Sequence, residues 1–165
     1  MMVKSNRWLW LIAVAMFFIP LSLEAAEIGE PMPSFKLTTL DGEVIDSTAL
    51  IGEKPIFMVF WATWCPNCKR EIPHINKMAE EFGPKGMVFL GVNVGVNDSE
   101  KKVRRYAEKY KMHYPLYFDE GSLLTRKFKV SGTPTVIIVD KNGIVRYRDV
   151  SPPADLLIHF DALNN

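Results

Sequence analysis

Phe60-Trp61-Ala62-Thr63-Trp64-Cys65-Pro66-Asn67-Cys68 decides how this chain is read, because it holds the only two cysteines among 165 residues. An apolar run, Ile56-Phe57-Met58-Val59-Phe60, leads into it, and a polar segment with helical periodicity follows. Positions i and i+3 of a helix share a face, with Cβ atoms about 5–6 Å apart. A disulfide wants Cβ atoms about 3.5–4.5 Å apart, so a slightly tightened first turn lets Cys65 and Cys68 bridge. Pro66 suits the first helical position, where its missing N–H has no intrahelical partner to lose. Cys65 then stands at the helix N-terminus, where free N–H groups and the helix dipole stabilise a thiolate. The pair reads as a reversible dithiol.

Three blander readings fit less well. A structural disulfide over so short a loop constrains the unfolded chain weakly. A zinc site needs further ligands, but there is no second cysteine pair, and His74, His113 and His159 lack the close spacing of a zinc finger. Two plain buried thiols are common enough in cores, yet the Trp-Cys-Pro-Asn-Cys setting after an apolar strand argues for chemistry.

Residues 1–26 read as a signal peptide or an N-terminal membrane anchor. Lys4 and Arg7 precede a continuous apolar stretch, Trp8 to Ile19; Pro20 breaks it, and Leu23-Glu24-Ala25-Ala26 offers small residues for cleavage. The stretch is short for a spanning helix, which wants about 20 residues. Lys4 and Arg7 before it and Glu24, Glu27 and Glu30 after it leave the remainder outside the cytoplasm in either case. Residues 27–165 then form one exported domain. In an oxidising compartment, a chain with only Cys65 and Cys68 has no cysteine to spare for structural bridges. The formal net charge of +1 gives no electrostatic argument for nucleic acid.

Along that domain, Phe35 to Thr38 alternates like a strand, and Asp41-Gly42 turns it into Val44 and Ile45. Ile56 to Trp61, apolar throughout, suits a central strand covered on both faces. The helix opened by Cys65 runs to about Phe82, with Ile72, Ile75, Met78, Ala79 and Phe82 at helical spacing and Pro73 inside it. Met87 to Val94 is the next strand. Asn97 with Glu100 resembles a capping box for a helix to Tyr110, burying Val103, Tyr106, Ala107 and Tyr110; its Lys101-Lys102 and Arg104-Arg105 pairs read as a solvated face. Tyr114 to Phe118 is extended, Ser122 to Phe128 a short helix, and Thr135 to Val139 a buried strand that Asn142-Gly143 turns into Ile144 to Arg148. Ser151 and Pro152 would open a last helix with Leu156, Leu157 and Phe160 inward. The order is hairpin, β-α-β-α, β-β-α, which predicts an α/β domain with a mixed central sheet flanked by helices.

The strand, Trp64-Cys65-Pro66-Asn67-Cys68 and the helix carrying Pro73 resemble thioredoxin. A second match lies downstream, in Val130-Ser131-Gly132-Thr133-Pro134-Thr135. The N-terminal hairpin, the leader and Gly91-Val92-Asn93-Val94-Gly95 narrow the resemblance to the TlpA/ResA-like redoxins. That resemblance implies a thioredoxin-like fold with an added N-terminal β-hairpin. It also implies an exported thiol–disulfide oxidoreductase that reduces protein disulfides, including in cytochrome c maturation. Such a protein needs no cofactor, acts as a monomer and is recharged by a membrane thiol-transfer protein. Cys65 would be the exposed nucleophile and Cys68 the more buried resolving thiol. Pro134 would be cis beside them, Thr133 would offer its backbone to a substrate strand, and Trp64 and Pro66 would border that surface, with Trp61 in the core.

The chain departs from thioredoxin at Val59, which stands where thioredoxin carries a buried aspartate. Glu71, three residues beyond Cys68, matches a glutamate of ResA-like proteins and is the candidate proton acceptor. Two other functions share parts of the pattern. Peroxiredoxins resemble Thr-X-X-Cys here, but Cys65 replaces the threonine. Copper chaperones of the Sco kind resemble Cys-X-X-X-Cys with a distal histidine, for which His113 or His159 would have to serve.

Overall fold

The structure, a computed structural model, describes residues 26–164. The leader up to residue 25 and the side chain of Leu157 lie outside the described residues. Strands β1 (Lys36–Thr38) and β2 (Val44–Asp46) pair antiparallel as the expected hairpin, and a single-turn α1 (Ser47–Leu50) follows, capped by the Asp46 side chain. Then come β3 (Ile56–Trp61), α2 (Pro66–Phe82), β4 (Val88–Asn93), α3 (Glu100–Lys109) and β5 (Leu116–Phe118). A 3-10 turn leads into α4 (Leu123–Lys127), and β6 (Thr135–Val139), β7 (Val145–Asp149) and α5 (Leu156–Leu163) complete the order.

The main sheet runs β5-β4-β3-β6-β7, parallel across β5, β4 and β3 and antiparallel across β3, β6 and β7. All six residues of β3 are buried, as a strand covered on both faces requires. On one face Phe57 stacks on Phe89 with ring centroids 4.8 Å apart, and Trp61 lies 5.5 Å from the Tyr106 ring of α3. Phe82 of α2 meets Phe160 of α5 at 5.0 Å. On the other face Phe60 packs on Phe128, which also touches Phe35 ahead of the hairpin. Each such fully buried aromatic contributes about 1.5–3 kcal/mol of hydrophobic stabilisation. The extended segment before the hairpin docks on the far edge, where Met32 donates to the Gly143 carbonyl and Val145 to that of Glu30.

Two helix starts differ from the sequence expectation. Helix α3 is capped by Ser99, whose hydroxyl accepts from the Lys102 N–H at 3.4 Å. Asn97 instead takes a left-handed φ of 53°, a conformation asparagine tolerates better than most residues. Ser151 caps nothing; its carbonyl accepts from the Tyr147 hydroxyl at 2.7 Å, and α5 starts only at Leu156. Pro152 and Pro153 each hold the residue before them out of helical conformation, which delays the start. Tyr106 and Tyr110 are half-buried rather than buried.

The chain leaves β4 through Gly95, with φ 73°, where an added Cβ would stand 2.2 Å from the Asp119 carbonyl oxygen. Gly95→Ala should therefore destabilise the protein by at least about 1–3 kcal/mol from backbone strain alone. Urea unfolding checks this; a midpoint equal to that of wild type would show that the loop after β4 adapts freely.

Candidate active site

β3 and β4 are parallel and end side by side at Trp61 and Asn93, so the loops beyond their C-terminal ends share one edge of the sheet. Ligand and reaction sites of α/β sheets form at such an edge. The loop after β3 holds Thr63 and Trp64 and passes into α2, whose N-cap residue is Cys65 with Pro66 in the first turn. Cys65 and Cys68 form a disulfide with Cα atoms 5.3 Å apart. The Cys68 backbone N–H donates to Cys65 Sγ at 3.1 Å, so a free donor of the helix terminus is aimed at this sulfur.

The antiparallel partner β6 brings the second half of the site. Thr135 pairs with Phe60, which sets the residues ahead of Thr135 beside the cysteines. The Thr133–Pro134 peptide is cis, and Cys65 Sγ lies 3.4 Å from the Thr133 carbonyl oxygen. Trp64 is half exposed and its indole N–H donates to the Val96 carbonyl at 2.7 Å, whereas Trp61 is in the core. Pro66 is exposed on the first turn of α2.

Burial does not separate the two cysteines in this oxidised state, since Cys65 is 4% and Cys68 3% exposed. The expected contrast between an exposed Cys65 and a buried Cys68 is therefore not seen; the bridge holds both sulfurs against the protein. Their surroundings do differ. Cys65 Sγ lies against the carbonyl of Thr133, and Thr133 with Trp64, Val96 and Val130 lines a groove of about 170 Å³ that the cysteine itself does not line. Cys68 faces a narrow apolar cleft shared with Val59, Trp61, Ile72 and Pro134, and half-buried Glu71 lines the same cleft. Burial pushes the phenol of Tyr114, also on that cleft, well up, so it stays protonated at working pH. Among the described residues no three His, Cys, Asp or Glu side chains gather as a metal site. His159 pairs with Asp155 at 3.3 Å, and His113 lines cavities that contain neither cysteine.

The sequence reading missed a polar cluster behind this loop. The Asp98 side chain is buried, although the residue as a whole is half-buried, and it accepts from the Thr63 N–H at 2.9 Å, the Thr63 hydroxyl, and the Asn93 amide at 2.9 Å; Lys102 Nζ is 3.0 Å away. Asn93, itself buried at the end of β4, accepts from the Gly95 N–H at 3.1 Å. In the sequence Asp98 looks like an ordinary acidic residue ahead of a helix, and its partner Thr63 lies 35 residues away.

A dithiol–disulfide at the start of a helix, against a cis-proline loop and on the strand ends of a mixed sheet, defines a thiol–disulfide oxidoreductase of thioredoxin-like fold. The chain belongs to the AhpC/TSA family, whose model matches residues 28–148. Among curated proteins it is 35% identical over 127 residues to the thiol-disulfide oxidoreductase ResA of Halalkalibacterium halodurans, covering 77% of this chain and 69% of that protein. It is 34% identical over 139 residues to the thiol:disulfide interchange protein DsbE of Escherichia coli, covering 81% of this chain and 72% of that one. The crystal structure of a thioredoxin-family thiol:disulfide interchange protein from Chlorobium tepidum superposes with a TM-score of 0.66 at 31% identity, over 81% of this chain and 92% of that one. The enzyme is thus a thiol–disulfide oxidoreductase of the ResA and DsbE kind.

Burial alone would raise the Asp98 carboxyl, but hydrogen bonds from Asn93, Thr63 and Lys102 outweigh it and hold its pKa below the ordinary carboxylate value. Asp98 therefore stabilises the fold above the unfolded carboxylate value of about 3.9, and this contribution is lost as pH falls through the lower folded value. Urea unfolding of wild type and Asp98→Asn should differ most at neutral pH and converge in acid. A gap that stays constant down to the acid limit would mean that the charge contributes nothing.

Proposed function

We propose that this oxidoreductase works outside the cytoplasm as a reductant of protein disulfides, with Cys65 attacking and Cys68 resolving, and that it serves cytochrome c maturation. One observation carries the assignment of roles: Cys65 Sγ takes the helix-terminal N–H of Cys68 and stands against the Thr133 carbonyl, while Cys68 faces the narrow apolar cleft. The relatives are by name a thiol-disulfide oxidoreductase and a thiol:disulfide interchange protein, and the leader of residues 1–26 supports export.

In the reduced enzyme the Cys65 thiolate attacks one sulfur of a substrate disulfide, forming a mixed disulfide and releasing the other substrate sulfur as a thiolate. The Thr133 backbone and the surface around Trp64, Pro66 and Pro134 hold the substrate strand. Cys68 gives its proton to Glu71, and the Cys68 thiolate attacks Cys65 Sγ. The second substrate sulfur leaves and is protonated, and the Cys65–Cys68 disulfide remains. Two electrons have passed to the substrate, and the dithiol of a membrane thiol-transfer protein returns them. Val59 cannot accept a proton, which leaves Glu71 as the carboxyl lining the cleft with Cys68.

Cys68→Ser should accumulate mixed disulfides through Cys65 in the exported protein, detectable on non-reducing gels, and Cys65→Ser should form none. Mixed disulfides formed through Cys68 would reverse the roles. A potential near about −270 mV fits a reductant, and one near about −120 mV an oxidant. Hydrogen peroxide consumed by Cys65→Ser as fast as by wild type would replace the reading with a peroxidase.

For Glu71, the pH profile of disulfide reduction decides. Glu71→Gln keeps the shape and removes the titrating proton, so turnover should fall about 10²–10⁴-fold if Glu71 is a full general base. The profile should also change form. Superimposable profiles would reduce Glu71 to a solvated helix residue.

A further inference from the structure

We propose that Asp98 is a positioning residue for the exchange reaction: it holds the Thr63–Trp64 turn in the shape that delivers Cys65 to the N-terminus of α2. The turn is irregular chain between the last residue of β3 and the first of α2, with one backbone bond of its own, from the Cys65 N–H to the Ala62 carbonyl at 3.3 Å. Asp98 binds it twice, through the backbone N–H and the hydroxyl of Thr63. The same carboxylate is anchored to the sheet by Asn93 and to α3 by Lys102. An ionised carboxylate has about four acceptor positions, and here four donors fill them. Charge-assisted bonds of this kind are about twice as strong as neutral ones, and this carboxylate is shut off from water.

The loop that carries Asp98 grips the turn at a second point, the bond from the Trp64 indole to the Val96 carbonyl. Val96 and Asp98 thus hold consecutive residues, Trp64 and Thr63, immediately before the nucleophile. On the other side, Gly95 sits tightly against Asp119, and the Asp119 N–H donates to the Asn93 carbonyl at 2.9 Å, so the loop itself is braced. A buried side chain from 35 residues away therefore determines where the chain enters α2. The consequence is chemical: the Cys68 N–H reaches Cys65 Sγ only if Cys65 keeps the N-cap conformation that this turn imposes.

The test uses the reduced full-length protein and rests on Cys65 as the attacking thiol, which its wild-type arm checks first. Alkylation at pH 7, followed by mass spectrometry of each cysteine, should label Cys65 well ahead of Cys68 in wild type. Faster labelling of Cys68 would remove that reading and this one with it. Asp98→Asn offers an N–H to a ring of donors, so it should slow Cys65 labelling roughly tenfold, within the range of up to about a hundredfold for a misplaced reacting group. Thr63→Val removes only the hydroxyl bond and should give a smaller slowing in the same direction; it also keeps the test alive if Asp98→Asn fails to fold. Phe160→Ala, which removes core packing against Phe82 at the other end of α2, should lower the unfolding midpoint and leave Cys65 labelling unchanged. Wild-type labelling rates in Asp98→Asn or Thr63→Val, or an equal slowing in Phe160→Ala, would overturn the positioning role.

Discussion

The Cys68 N–H aimed at Cys65 Sγ is the contact on which the site depends. It exists because three local preferences coincide. Pro66 accepts the first helical position without losing a bond, Cys65 keeps an extended backbone at φ −85° and ψ 112°, and the Cys68 N–H, three residues on, comes within reach of the sulfur. The cysteine spacing that allows a disulfide therefore also points a backbone donor at the sulfur proposed to attack. Binding and redox geometry share a single turn of helix.

That turn is useful only because the sheet brings a second backbone against it. β3 is the shared strand: it runs parallel to β4, which supplies the loop with Val96 and Asp98, and antiparallel to β6, which supplies Thr133 and Pro134. Its full burial fixes the register on both sides, since a shift of one residue would turn Phe57, Val59 and Trp61 to the wrong face. The active loop is thus held from opposite sides by segments that are far from it in sequence. Neither is a helix or a strand; both are short loops whose ends the sheet has already placed.

How much of this was legible in the sequence follows from range. The cysteine motif, the apolar strand before it, the 3.6-residue pattern from Ile72 to Phe82 and the hairpin turns at Asp41-Gly42 and Asn142-Gly143 are local signals, and the fold bears them out. The caps of α3 and α5 misread because several polar residues lie near each start, and the choice among them depends on backbone that only tertiary packing sets. Helix α4 makes the same point. Ser122, beside it in sequence, adopts φ 55° and caps nothing, while Asp119 accepts from the N–H groups of Leu124 and Thr125 at 3.0 and 2.7 Å. Asp98 was invisible for a stronger reason: all that distinguishes it is the company it keeps once β3 and β4 are paired.

The two sulfurs illustrate a further limit of sequence reasoning. Spacing and helix position distinguish Cys65 from Cys68 by their backbone surroundings, and the family resemblance implies unequal exposure. In the oxidised protein exposure is equal, because a bridged pair has to lie together. The asymmetry lies instead in what each sulfur faces. Against Cys65 is the Thr133 carbonyl, with the exposed Trp64 next to it in sequence; on the Cys68 side are Val59, Ile72 and a single carboxyl. An apolar wall raises the cost of a charged sulfur at Cys68 and a helix terminus lowers it at Cys65. The proposed roles of the two sulfurs therefore rest on what each one faces, since the oxidised fold buries them alike.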